Sequence, residues 1–130
     1  MKPCIIWDSI LSLEKASKGD ISQIVYMVEA LAKQKIDVSL VALNAGKANI
    51  NGVKIKQVPN FVYIKQRTRT IGKVFSDLYG YGGKITARNI AKFVINRLDP
   101  IEHYDLYHVR ARNLAIALKR FQFNKPLVYT

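Results

Sequence analysis

Apolar and polar positions along this chain switch repeatedly between a strand-like and a helix-like pattern. Cys4, Ile5, Ile6 and Trp7 form an unbroken apolar run, as expected of a strand covered on both faces. Asp8 and Ser9 end that run, and Ile10 to Gly19 reads as a mixed loop. Asp20 suits a helix N-cap, with Gln23 as its capping-box partner. Ile21, Ile24, Val25, Val28, Leu31 and Ala32 then share one helical face. Val38 to Leu43 predicts a second buried strand. Asn51-Gly52 marks a turn, and Val53 to Val58 alternates with lysines as a half-exposed edge strand does, until Pro59 stops it.

Farther along, Ile64, Ile71, Val74, Phe75 and Leu78 are spaced as in a helix, and Gly80 to Gly83 is a break. Ile85 to Leu98 predicts another helix, with Ile85, Ala87, Ile90, Ala91, Val94 and Leu98 inward. Asp99-Pro100 is expected to end it, because the residue before a proline avoids helical angles. Leu106 to Val109 predicts a strand, Leu114, Ala115, Leu118 and Phe121 a short helix, and Pro126 to Thr130 a final strand. Alternating strands and helices predict an α/β fold: a parallel sheet with helices on both faces. In such a sheet ligands sit beyond the carboxyl ends of the strands.

Composition adds one strong constraint. The 130 residues suit a single domain, and 49% hydrophobic with 23% charged content is ordinary for a globular protein. The formal net charge of +12 is not ordinary, and it favours polyanionic partners. One cysteine excludes an internal disulfide and a thiolate zinc site, and no metal site is expected. The first apolar run is too short for a signal peptide, and no stretch has the length of a membrane span, so a cytoplasmic protein is expected.

The candidate chemistry lies at strand ends. There is no G-x-G-x-x-G after Trp7 and no Walker lysine loop. Lys18, Gly19 and Asp20 open the first helix, where backbone amides and the helix dipole favour an anion; a plain turn is the alternative. Asp8 and Ser9 are placed to bind a hydroxyl or, equally, to cap their own loop. His108 and Arg110 leave the end of a parallel strand and are expected in the crevice, whereas Arg112 and His103 read as surface residues. The basic middle carries Lys65, Arg67, Arg69 and Lys73 among Phe61, Tyr63, Phe75, Tyr79 and Tyr81. It reads as a solvated face, a face for an anionic membrane, or a stacking surface for single-stranded nucleic acid.

Three segments in order carry a family resemblance: the strand-loop-helix-strand of Cys4 to Leu43 with its run Gln23 to Val41, Asn51 to Pro59, and Tyr104 to Arg110 followed by Lys125 to Thr130. Together they resemble the N-terminal Rossmann-like domain of retaining glycosyltransferases of the GT-B architecture, the large family-four group of sugar-nucleotide-dependent hexosyltransferases. The resemblance implies half of a GT-B enzyme: an acceptor-side domain spanning residues 1–130, with the donor-binding C-terminal domain beyond it. It implies no cofactor, a nucleotide sugar as donor substrate, and a glycan or lipid as acceptor. It implies that Gly19 approaches the donor phosphates, though the family's Gly-Gly pair is a single glycine here, and that Asp8, Ser9, His108 and Arg110 line the acceptor cleft. Lys35-Ile36 stands where the family often has Gly-His. The family's active-centre histidine would fall just past Thr130, so the chain alone is expected not to transfer sugar. Other readings are a basic nucleic-acid-binding module and a non-catalytic flavodoxin-like scaffold.

Overall fold

A computed structural model of the chain describes residues 1–7, 19–59, 83–121 and 124–130. Five parallel strands form one sheet: β1 (Pro3–Trp7), β2 (Ser39–Ala42), β3 (Lys54–Gln57), β4 (Leu106–Val109) and β5 (Leu127–Tyr129). Their order is β3-β2-β1-β4-β5. Ile5 at the centre registers with Leu40 on one side and His108 on the other. The protein is thus an α/β fold of Rossmann-like type, as the alternating pattern predicts.

Sequence explains which faces are covered. β1 and β2 are buried along their whole lengths because both of their faces carry apolar side chains. Ile5, Trp7, Leu40 and Ala42 point to one face, where they cluster with Ile24 and Val28 of α1 (Gly19–Lys33). The crossover from β2 to β3 packs into the same layer through Ala45 and Ile50. Gly52, with φ at +81°, closes its turn, and Val53 N–H donates to the Ile50 carbonyl at 3.1 Å. On the opposite face Cys4, Ile6, Val41, Tyr107 and Val109 pack against α2 (Lys84–Phe93) and α4 (Arg112–Phe121). Burying each large aliphatic side chain contributes about 1.5–3 kcal/mol, so these two clusters hold the layers together.

One expectation fails. The helix does not end at Asp99-Pro100: α2 widens into a π-helical turn, Val94–Leu98, and continues as α3 (Asp99–Glu102). Asp99 keeps helical angles (φ −60°, ψ −39°) even before proline. Pro100 falls in the first turn of α3, where its missing N–H is not needed. The helix stops instead at His103, left-handed with φ at 56°.

Because every strand runs the same way, the residues that precede strands gather at the amino edge. Glu102 there receives Lys2, Lys54 and Lys56 at 3.4–3.8 Å. Its partial burial would raise its pKa, but the three ammonium groups outweigh that and hold it below the usual carboxylate range. Asp99 holds Lys125 Nζ at 2.6 and 2.7 Å and accepts the Tyr104 N–H at 3.0 Å, which ties the approach to β5 to α3. Burial, and then the Asp99 charge, pushes the Cys4 thiol far up, so it is an inert core residue.

Candidate functional site

Strand order reverses at β1: β2 and β3 lie to one side, β4 and β5 to the other. The carboxyl ends of β1 and β4 therefore flank the crevice where this architecture receives ligands. Alternation along β4 sends Tyr107 and Val109 into the α2–α4 layer, so His108 and Arg110 face the α1 side. Arg110 Nη2 donates to Gln23 Oε1 at 3.3 Å, which brings β4 against the first turns of α1. His108 Nε2 and Thr130 Oγ1 are hydrogen-bonded at 3.2 Å, joining β4 to the end of β5. Burial, and then the neighbouring Arg110 charge, lowers the His108 pKa, so the imidazole is neutral at physiological pH.

Gly19 begins α1 beside this group and is exposed, and a Cβ added there would meet open space. Helix start and guanidinium thus present positive potential to one crevice. Trp7 ends β1, buried on the α1 side, and its indole Nε1 has no hydrogen-bond partner among the described residues. Chemically, the described wall can bind an anion and offer a neutral imidazole to a hydroxyl. It supplies no nucleophile, and no group of three or more metal-ligating side chains occurs among the described residues.

Of the residues singled out from sequence, His108 and Arg110 share one side of β4, and Arg110 reaches Gln23, one turn beyond Gly19 in α1. Asp8, Ser9 and Lys18 lie outside the described residues, as do Lys65, Arg67, Arg69 and Lys73 and the helix-spaced stretch from Ile64 to Leu78. For Asp20 the backbone is helical, one residue inside the expected cap. Arg112 and His103 are exposed, as expected. Sequence reasoning missed two residues. Gln23 serves Arg110 across 87 positions, and nothing local announces that pairing. Gln57 accepts the Ala45 N–H at 2.7 Å and donates to the Leu43 carbonyl, pinning the loop after β2 at the same edge. Its signal was a glutamine interrupting the lysines of an edge strand.

No helix among the described residues is long and apolar enough to cross a membrane. Comparison with protein-family models, curated proteins and solved structures gives no match to this chain.

Proposed function

We propose that this chain is the acceptor-side domain of a GT-B glycosyltransferase, working with a donor-binding domain to move a hexose from a nucleotide sugar to a glycan or lipid. The observation that carries the reading is the pairing of Arg110 with Gln23, which sets a cation and a neutral His108 beside the start of α1 at the strand-order reversal. Sequence resemblance over nearly the whole chain supports it from an independent direction.

In this reading, Gly19 lets the α1 amides approach the donor diphosphate, and Arg110 supplies countercharge to the phosphate or to an anionic acceptor. Neutral His108 hydrogen-bonds an acceptor hydroxyl, and Thr130 holds the ring in place. Asp8 and Ser9 complete the acceptor wall. Lys65, Arg67, Arg69 and Lys73 meet an anionic membrane surface at the cytoplasmic face.

The test uses the polypeptide that joins this domain to its donor domain, measuring nucleoside diphosphate release from UDP-, GDP- and ADP-hexoses across an acceptor panel. Arg110→Gln is expected to lower kcat/KM about tenfold or more with unfolding stability unchanged. Turnover by residues 1–130 alone, or no turnover by the joined polypeptide with any donor, contradicts the proposal.

A further inference from the structure

Two groups of basic residues in the described chain contrast sharply. At the amino edge Lys2, Lys54, Lys56 and Lys125 all meet carboxylates. On the α2–α4 face the cations meet no carboxylate among the described residues, and neither helix contains an aspartate or a glutamate. Lys84, Arg88 and Arg120 make no ion pair among the described residues, and all three line one groove of about 490 Å³ between the helices.

Apart from Asn113, the rest of that groove is apolar. Ile116 and Phe121, 44% and 38% exposed, share it with Ile85 and Ala117. Ile85 is expected from the helical period to point inward and instead stands at the groove wall with Phe121. The volume is that of a small-molecule site rather than of a packing defect. A simple anion would neutralise the cations and leave the apolar wall wet. A neutral lipid would cover the wall and leave three cations without counter-charge. A flat bilayer resting on the cationic rims would leave the concave floor uncovered.

We propose that the α2–α4 groove binds one amphiphilic anion, a phosphate monoester carrying an aliphatic chain. Arg88, Arg120 and Lys84 hold the phosphate, whose oxygens match the guanidinium forks. The chain lies on Ile85, Ile116 and Phe121, and the aliphatic stems of the cations extend that surface. This site is separate from the β1–β4 crevice, and its failure leaves the transferase reading standing.

The probe is monomeric decyl phosphate, followed by amide chemical shifts in the intact 130-residue chain. Shifts are expected on 84–88 and 113–121 and not on Gln23, His108 or Arg110. Butyl phosphate and inorganic phosphate should each bind at least tenfold more weakly, because they lose the apolar wall. Arg88→Gln with Arg120→Gln should weaken decyl phosphate about tenfold or more while leaving the thermal midpoint unchanged. Ile116→Ser tests the apolar half in the same way. Equal affinity for decyl and inorganic phosphate, or no loss in the double variant, overturns the proposal. Binding to phosphatidate vesicles without binding to the monomer also overturns it, since it would make the face a bilayer surface.

Discussion

At the scale of single residues, the groups that matter are those whose partners lie far away in sequence. Asp99 and Lys125 stand 26 positions apart, and the Asp99 side chain is only 12% exposed. Asp99→Asn leaves Lys125 without its partner, so it should cost roughly 2–3 kcal/mol in chemical denaturation, somewhat less than for a fully buried pair. A loss below about 0.5 kcal/mol would show the contact to be ornamental. Gly52→Ala faces two penalties: φ at +81° and a Cβ placed 3.1 Å from that of Ala32. It should destabilise by about 1 kcal/mol or more, measurable as a lowered denaturant midpoint with unchanged slope. For His108 the sign runs one way. Its folded pKa lies below the ordinary histidine value of 6.5, so the unfolded chain takes up more protons as pH falls through that range. Stability is therefore full above about pH 6.5 and is lost as the pH drops through the folded pKa. His108→Gln should flatten that part of the stability profile, and identical profiles between pH 7 and 5 would refute the assignment.

At the scale of elements, much was legible. The unbroken run Cys4–Trp7 and the run Val38–Leu43, interrupted only by Ser39, read as strands covered on both faces, and the Ile24–Val28 stripe as the buried side of α1. Ile24→Ala should cost about 2–5 kcal/mol, because that side chain fills the α1 layer over Ile5 and Leu40. A change under 1 kcal/mol would mean α1 is not packed as described. What sequence hid was set by neighbours rather than by period. The π-helical turn at Val94–Leu98 has no repeat to reveal it, and it lets a helix pass through Asp99-Pro100 where a local rule predicts a stop. The helical period marks Ile85 and Phe121 as apolar but cannot say whether another helix covers them. The crevice was half legible: His108 and Arg110 could be placed at a strand end, whereas Gln23 as the partner of Arg110 required the fold.

At the scale of the whole molecule, charge is sorted by edge. Asp37, Asp99, Glu102 and Asp105 all precede strands and gather at the amino edge, where lysines or backbone amides meet them. Among the described residues the α2–α4 face carries only cations, and Arg110 sets a cation at the carboxyl edge, so both offer positive potential to an incoming anion. The first consequence is that binding at these surfaces weakens as salt rises, while the paired amino edge is little affected. A uniform, steep salt dependence toward generic single-stranded nucleic acid would instead favour a nucleic-acid module. The central claim concerns the crevice where β1 meets β4, with Arg110, His108 and the start of α1 as one wall. Its most direct test is an amide-shift titration of the polypeptide that joins this domain to its donor domain, with UDP, GDP and their hexose conjugates. Shifts concentrated on 19–24, 108–110 and Thr130, abolished by Arg110→Gln, are the predicted result. Shifts confined to the α2–α4 face, or none at millimolar nucleotide, would contradict the crevice as a sugar-nucleotide site.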